Sequence, residues 1–355
     1  MGSDTWDQLR SEDGCFFIAE IGVNHNGSVE TARELIDVAS SAGADAVKFQ
    51  TFFAEELVTT SAKKAAYQAR NTGADGTQFE MLKALELDAD SHRQLKKHCE
   101  DRQIMFLSTP FSARAADMLL DVGVDAYKVG SGDLTHPAFL RDLAARQKPM
   151  ILSTGMGTLA EVAKAVATIL PTNEELALLH CVSNYPASPQ DCNLKAMATL
   201  ESAFRLPVGW SDHTQGDAIS VAAAALGASI IEKHFTLDRT SEGPDHLASL
   251  EPDELRKLVS KVRDVSSAMG TGLKLPTAAE LDTASIARRS VVAARDLTAG
   301  TVLSEADLQI LRPGTGIQPE DVGLLVGMSL AKPVPAGGVM QWTDFKKSGL
   351  GTTDT

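Results

Sequence analysis

The sequence predicts an α/β protein, a (β/α)8 TIM barrel followed by a small β-rich domain. Three observations lead to this prediction. Short apolar runs alternate with helical patterns eight times along the first part of the chain. These runs are continuously apolar, which is typical of parallel strands buried on both faces. Beyond residue 272 the composition becomes rich in Gly and Pro turns. A doubly wound sheet is the alternative, but no G-x-G-x-x-G turn follows an early strand.

Each predicted strand is a short apolar run, and each is followed by a stretch with helical periodicity. The strands are predicted at residues 15–22, 45–50, 104–109, 125–130, 149–155, 176–181, 206–212 and 228–234. The helices are predicted at residues 28–42, 91–102, 112–122, 135–146, 158–169, 194–203, 216–226 and 252–269.

One connection is too long for a simple turn. Residues 51–90 separate the second strand from its helix, and an insertion of this size at the carboxyl end of a barrel strand is usually functional. We therefore expect a partly helical flap over the barrel mouth. The domains follow as a barrel over residues 15–272, a linker over 273–285 and the small domain over 286–349.

Composition excludes several classes of protein. The chain has 355 residues and a net charge of −14, which argues against a nucleic-acid-binding surface. No apolar run reaches the roughly 18 residues that a membrane-spanning helix needs, and the first ten residues lack a signal-peptide pattern. The four cysteines show no C-x-x-C spacing, so we expect a reduced, cytoplasmic protein.

Polar residues stand at the carboxyl ends of the predicted strands, where barrel enzymes carry their active sites. Charged groups inside a barrel cost several kcal/mol unless they are paired or bound to a ligand. These residues therefore predict a site, made of Glu20, Lys48, Gln50, Ser108 or Thr109, Lys128, Ser131, Ser153, Asn184, Tyr185, Ser211, His213, Glu232 and His234.

Two subsets of this site have a recognisable chemistry. Lys48 and Lys128, with the hydroxyl side chains, suit a phosphate or a carboxylate. His213 and His234 end adjacent strands, so their imidazoles can converge on a divalent ion such as Mn²⁺. The alternative for the histidines is that each donates to a nearby carbonyl.

The motifs of the chain resemble those of the sialic acid synthase family over about residues 15–347. The matching stretches are FIAEIGVNHNGS, DAVKFQT, FLSTPFS, AYKVGSGD, ILSTGM, GWSDHT, IIEKHFTLDR, GPDHLASLEPDEL and RPGTGI. The last part of the chain resembles the antifreeze-like (SAF-type) domain of that family. The resemblance implies an enzyme that joins phosphoenolpyruvate to a hexosamine and forms a nine-carbon sialic acid and phosphate.

The resemblance also implies a role for each matching residue. Phosphoenolpyruvate is expected on Lys48, Thr109, Lys128, Ser131, Ser153, Asn184 and Ser211, although some members carry their Asn one residue earlier, where this chain has Ser183. The metal, usually manganese, is expected on His213 and His234. The sugar is expected on Glu20, Gln50, Tyr185, Asp245 and Arg312. Arg312 matches an arginine that reaches the partner's barrel in a domain-swapped homodimer.

The reaction itself leaves alternatives open. N-acetylmannosamine is the first expectation for the sugar, and 2,4-diacetamido-2,4,6-trideoxymannose, which gives legionaminic acid, is the second. A metal-dependent aldolase is a third interpretation, and a class I aldolase would instead form an imine on Lys48 or Lys128. The proton carrier is Glu20 or Glu232, although Glu232 could instead orient a ligand histidine.

Overall fold

The computed structural model describes residues 4–9, 14–72 and 75–346. The chain divides into two compact units, the first ending at Thr271 and the second beginning at Gly272. None of the helices in the described residues is long and apolar enough to cross a membrane.

The first unit is a closed barrel of eight parallel strands in sequential order, so the predicted fold is confirmed. The last strand pairs with the first: Glu20 is in register with His234 on one side and with Lys48 on the other. The strands are β1 (Phe16–Gly22), β2 (Ala46–Thr51), β3 (Met105–Pro110), β4 (Ala126–Val129), β5 (Met150–Ser153), β6 (Leu176–Cys181), β7 (Val208–Asp212) and β8 (Ile230–His234).

Helices pack around this barrel, and at least one follows each strand. Additional helices lie before β1 and in the connection between β2 and β3. A short helix, α1 (Asp4–Leu9), precedes the barrel and was not predicted. The others are α2 (Val29–Ser41), α3 (Ala54–Leu57), α4 (Ala66–Thr72), α5 (Gln78–Leu85), α6 (Ala89–Asp101), α7 (Ala113–Val122), α8 (Pro137–Ala145), α9 (Leu159–Ile169), α10 (Ala196–Phe204), α11 (Ala218–Ala225) and α12 (Pro252–Met269).

Side chains that point into the barrel are apolar at its amino end. They form one buried cluster with Trp6 and Leu9 of α1, made of Phe16, Ile18, Ala46, Leu107, Ala126, Ile151, Ala177, Leu179 and Ile230. Side chains two residues apart on a strand face the same way, so the next inward positions include Glu20, Lys48 and Lys128. On β1, β2, β4 and β8 the barrel interior therefore changes from apolar to charged within one inward position, and on β3 and β5 it changes to a hydroxyl side chain. Gly209 keeps the strands close, because a Cβ there would lie 2.2 Å from Ile230 O.

The long connection after β2 is helical and lies at the mouth, as expected. Helices α3, α4 and α5 occupy it. Thr77 begins α5 with a capping box, in which its side chain accepts from Glu80 N. Leu85 of α5 packs with Val23 and Phe52 in a small buried cluster that joins this segment, hereafter the flap, to the strand ends.

The second unit holds an antiparallel pair of strands and its own core. The segment expected as a linker is partly helical: α13 (Ala278–Ala287) begins there because Thr277 caps Glu280 N and the following sequence is rich in Ala. Strands β9 (Ser290–Ala293) and β10 (Leu308–Leu311) pair, and the short α14 (Val322–Leu325) follows. The core contains Val291, Leu303, Leu330 and Met340. The last residues of the predicted domain, 347–349, lie outside the described residues.

Candidate active site

A cavity of about 400 Å³ opens at the carboxyl ends of the strands. Most of the residues predicted from the sequence line it. They are Glu20, Lys48, Gln50, Thr109, Lys128, Ser131, Ser153, Tyr185, Ser211, His213, Glu232, His234 and Asp245. The alternation of the strands brings these side chains to one place although 225 positions separate the first from the last.

The floor of the cavity carries four buried charges. Lys48 Nζ lies 2.5 Å from Glu20 Oε2 and 3.9 Å from Glu232 Oε2. Lys128 Nζ lies 3.5 Å from Glu232 Oε1. Glu232 therefore stands between the two lysines, while Glu20 pairs with Lys48 alone. The exposure of each of these residues is 4% or less, so the pairs are almost unscreened by solvent.

The two carboxyls have opposite electrostatic environments. Burial raises the pKa of Glu20, against the opposing effect of Lys48, and the charge of Glu232 raises it further. Burial also acts to raise the pKa of Glu232, but Lys128 and Lys48 together outweigh it and the net pKa is lowered. At neutral pH Glu232 is thus the carboxylate held ionised, and Glu20 is the carboxyl that takes up a proton more readily.

The two lysines differ in the same way. Burial lowers the pKa of Lys128, and the attraction of Glu232 only partly opposes it. Burial acts in the same direction on Lys48, but the charges of Glu20 and Glu232 reverse the effect and its pKa is raised.

Hydroxyl groups surround the charged floor. Lys128 Nζ donates to Ser153 Oγ over 2.7 Å, and Lys48 Nζ donates to Thr109 Oγ1 over 3.3 Å. Ser211 Oγ donates to Glu232 Oε1 over 2.9 Å. These contacts place hydrogen-bond donors and cations together at the floor of the cavity, which suits an anion with several oxygen atoms.

Gly155 packs closely against side chains that line the cavity. Gly155 N donates to Ser131 Oγ over 3.0 Å. A Cβ at Gly155 would lie 2.4 Å from Ser183 Oγ and 2.8 Å from Cys181 Sγ, so a larger residue would displace these groups. Glycine is therefore required by the close approach of three side chains.

The two histidines face one another across the cavity. Their ring centroids are 5.7 Å apart, and the ring of Tyr185 lies 4.2 Å from that of His213. His213 Nδ1 donates to Val182 O over 2.8 Å, which leaves its Nε2 lone pair available. His234 Nδ1 is buried without a hydrogen-bond partner among the described residues.

The protonation of the two imidazoles and the groups around them decide whether this pair suits a metal ion. Burial lowers the pKa of His213 to about 4 and that of His234 to about 3, so both imidazoles are neutral at physiological pH. Within the described part of the chain, no group of three or more His, Cys, Asp and Glu side chains is placed to hold a metal. The donor set fits a divalent ion that takes two nitrogen ligands and completes its shell with oxygen atoms of water or substrate.

The loop after β8 is held in place from several sides. His246 hydrogen-bonds to Thr236 Oγ1 over 2.7 Å and to Asn26 Oδ1 over 3.2 Å. Asn71 of the flap donates to Pro244 O over 2.7 Å. Asp245 is thereby fixed at the cavity wall, where burial and the charge of Glu20 raise its pKa to about 7.

The flap supplies a second, different wall. It is largely apolar, and two carboxamides stand in it: Gln78 Nε2 donates to Gln68 Oε1 over 3.1 Å, and Ala65 N donates to the same oxygen over 2.9 Å. Its apolar side chains are Leu57, Val58, Met81, Leu82 and Leu85, and Val23 and Phe111, which follow β1 and β3, lie beside them in the cavity lining. The sequence predicts a flap but not which of its side chains line the cavity, because that depends on how the flap helices pack.

Two predicted residues lie elsewhere. Asn184 is exposed and does not line the cavity, because Ser183 and Tyr185 on either side of it face inward. The role expected for Asn184 stays a prediction, and Ser183, the position where some family members carry Asn, lines the cavity. Arg312 belongs to the second unit, is exposed there and makes no hydrogen bond or ion pair with any described residue.

Comparison with known proteins identifies the family. Residues 35–274 match the NeuB family and residues 288–346 match the SAF domain. The N,N'-diacetyllegionaminic acid synthase of Legionella pneumophila is 46% identical over 92% of this chain and 94% of its own. The enzyme of the same name from Campylobacter jejuni is 46% identical over 84% and 91%.

A solved structure agrees with these relatives. The N-acetylneuraminic acid synthetase of Leptospira borgpetersenii superposes with a TM-score of 0.69 at 35% identity, covering 77% of this chain and 90% of its own. The resemblance to sialic acid synthases is confirmed: the chain is an enzyme that belongs to the NeuB family and carries a SAF domain.

Proposed function

We propose that this enzyme condenses phosphoenolpyruvate with 2,4-diacetamido-2,4,6-trideoxymannose and water to give N,N'-diacetyllegionaminic acid and phosphate. The observation that carries the proposal is that the floor and the flap wall of one cavity have different chemical character. Its floor bears two lysines and several hydroxyls, and its flap wall is apolar with a pair of carboxamides. An anion and an amide-bearing deoxy sugar match these two ends.

The relatives support the second expectation for the sugar over the first. The two legionaminic acid synthases are 46% identical to this chain, and the N-acetylneuraminic acid synthetase is 35% identical. The cavity agrees with that order. N-acetylmannosamine carries hydroxyl groups at C4 and C6, whereas the diacetamido sugar carries an acetamido group and a methyl group there. An apolar wall with an amide pair favours the latter.

The floor of the cavity would hold phosphoenolpyruvate. Lys48 and Lys128 supply positive charge, and Thr109, Ser131 and Ser153 supply hydroxyls for its phosphate and carboxylate oxygens. Glu232 is ionised and stands between the lysines, so it keeps both ammonium groups in place. It also places negative charge near the substrate carbon that becomes positive.

The chemistry then follows from the substrate. C3 of phosphoenolpyruvate attacks the aldehyde carbon of the open-chain sugar, and the enol electrons form the new C–C bond. The aldehyde oxygen takes a proton and becomes a hydroxyl, and C2 is left as an oxocarbenium ion. Water adds to C2, loses a proton, and the tetrahedral intermediate expels phosphate by C–O cleavage. Both reactants must be held together for this step, which the enclosed cavity achieves.

We assign the proton transfer to Glu20. Its pKa is raised by burial, whereas that of Glu232 is lowered, and a group that exchanges protons near neutral pH needs the former. Gln50 Nε2 donates to Glu20 Oε1 over 3.1 Å and orients the carboxyl. Asp245, Gln50 and Tyr185 are then the polar contacts for the sugar.

The proposal includes a divalent ion, Mn²⁺ by preference, on His213 and His234. Such an ion would supply Lewis-acid polarisation of the aldehyde when bound. The neutral imidazoles and their spacing support this assignment.

The proposal also includes a homodimer in which Arg312 acts on the partner's sugar site. The support is that Arg312 is exposed in the second unit, and that within the described residues no group pairs with its guanidinium. An arginine of this kind suits hydrogen bonds to an incoming ligand.

A phosphate-release assay tests the function. The protein is supplied with phosphoenolpyruvate, Mn²⁺ and either the diacetamido sugar, N-acetylmannosamine or no sugar. We expect the highest kcat/KM with the diacetamido sugar. A higher kcat/KM with N-acetylmannosamine would favour the first expectation for the sugar. In a separate reaction supplied with pyruvate, a borohydride-trapped imine on the protein would indicate a class I aldolase instead.

A further inference from the structure

A buried ion pair lies in the barrel wall directly behind the two histidines. Lys233 Nζ of β8 is 2.9 Å from Asp212 Oδ2 of β7, and their side chains are 1% and 0% exposed. The two residues are in register across the strands. Because neighbouring residues on a strand point to opposite faces, the pair faces the outer helices while Ser211, Glu232 and His234 face the cavity.

Both charged groups are enclosed by hydrogen bonds. Asp212 Oδ1 accepts from Thr214 N over 2.8 Å and from Thr214 Oγ1 over 2.7 Å. Asp212 Oδ2 accepts from Ser220 Oγ over 2.5 Å as well as from Lys233. Lys233 Nζ also donates to Thr214 O over 2.6 Å. The network therefore joins β7, the turn after it, β8 and the first turn of α11.

Stability alone does not explain such a pair. Replacing a buried ion pair by apolar residues of similar size is often neutral or stabilising, because desolvation offsets the attraction. The surrounding layer is suited to apolar residues, since α11 has the sequence AISVAAAA. The presence of an ion pair here is explained if it holds neighbouring residues in a defined geometry.

The geometry that it holds is that of the histidines. His213 lies between Asp212 and Thr214, both of which belong to the network, and His234 directly follows Lys233. The bond from Lys233 Nζ to Thr214 O ties β8 to the turn that carries His213. His213 O accepts from Ala187 N over 2.9 Å, which extends the support to the loop that bears Tyr185.

We propose that Asp212 and Lys233 are positioning residues for the two-histidine centre: their ion pair sets the separation of His213 and His234 at which both bind one divalent cation. This inference rests on the metal assignment under the proposed function. Residues behind a metal ligand commonly change metal affinity 10- to 100-fold when they are replaced.

The test measures Mn²⁺ affinity directly, from the electron paramagnetic resonance signal of the free ion, in chelator-stripped protein without substrate. The variants are Lys233→Met, the neutral pair Asp212→Asn with Lys233→Met, and the mild Ser220→Ala, which keeps both charges. Lys96→Met is the matched control, because Lys96 pairs with Asp125 at 2.9 Å, before the amino end of β4 and away from the histidines. Tm is measured for every protein.

We expect Lys233→Met and the neutral pair to raise the Kd for Mn²⁺ at least about tenfold and Ser220→Ala to raise it about threefold. Lys96→Met should leave it unchanged even if it lowers Tm. An unchanged Kd in a folded Lys233→Met protein, or in the neutral pair if the single variant fails to fold, overturns the inference. If both are insoluble, an unchanged Kd for Ser220→Ala overturns it. Wild-type protein that does not bind Mn²⁺ would instead remove the metal assignment, and the inference with it.

Discussion

Glu232 Oε1 lies 3.5 Å from Lys128 Nζ in the floor of the cavity, with both side chains nearly inaccessible to solvent. The same carboxylate is 3.9 Å from Lys48. One negative charge thus holds two ammonium groups at the place where the proposed substrate brings its own anionic groups. The pairing explains how the barrel tolerates two buried lysines, since an unpaired charge there would cost several kcal/mol.

Glu232→Gln should separate substrate binding from turnover. The variant leaves the floor more positive, so the KM for phosphoenolpyruvate should stay the same or fall. Because the charge opposite the developing cation is lost, kcat should fall about 100-fold or more. Steady-state kinetics with saturating sugar measures both. Ser211→Ala, which removes a single hydrogen bond to Glu232, should lower kcat much less. A higher KM with normal kcat would contradict the assigned role.

Chelation should abolish activity, and Mn²⁺ should restore it. His234→Ala should lose both the activity and the response to added metal, because one of the two proposed protein ligands is gone. The control is His136→Ala, since His136 is exposed at the start of α8. Full turnover after exhaustive chelation would refute the metal role.

Asp245→Asn should stabilise the protein in a pH-dependent way. The pKa of Asp245 is raised to about 7 from its ordinary value of 3.8, chiefly by burial. Between those values the folded protein holds a proton that the unfolded chain has lost, so the contribution of Asp245 to stability falls as pH rises from about 4 to about 7. Asparagine has no carboxyl to titrate, so the variant does not lose stability in this way as the pH rises.

Thermal melts at pH 5 and pH 8 measure the effect. We expect the Asp245→Asn substitution to raise Tm more at pH 8 than at pH 5, while sugar KM increases because a charged contact is lost. A gain of equal size at both pH values would show that the carboxyl does not titrate in this interval.

Gln78→Ala should reduce the preference for the diacetamido sugar. The carboxamide of Gln78 is oriented by Gln68 in the cavity wall and can exchange two hydrogen bonds with an acetamido group. Its loss should lower kcat/KM about tenfold for that sugar and little for N-acetylmannosamine. Lys83→Ala is the control on the same helix, because Lys83 is exposed and pairs with Glu55 and Glu86. Equal losses for both sugars would indicate a disturbed flap instead.

Arg312→Ala should weaken sugar use without disrupting a dimer. If the arginine acts across the dimer, mixing Arg312→Ala chains with Lys128→Ala chains should recover part of the activity, since one of the two sites in each heterodimer is intact. Heterodimers are verified by differential tags before the assay. Verified heterodimers without activity would exclude action in trans.

The predictions from sequence succeeded where strand geometry controls side-chain direction. Pairs such as Lys48 with Gln50 and Glu232 with His234 are two residues apart, so they reach the same side of a strand. Asn184 follows β6 in a loop, so the alternation of a strand does not decide where its side chain points, and its role stays a prediction. The linker prediction did not include α13. A stretch that contains Gly and Pro comes before this helix, which begins only after the capping residue Thr277.

The sequence by itself determined the barrel and the positions on its strands that carry charge, because both follow from local periodicity. Only the tertiary structure decided which carboxyl is ionised, since that depends on the distances from Glu20 and Glu232 to two lysines in a buried setting. It also decided the apolar flap wall and the pairing of Asp212 with Lys233, because these contacts join residues whose separation along the chain carries no signal of their proximity.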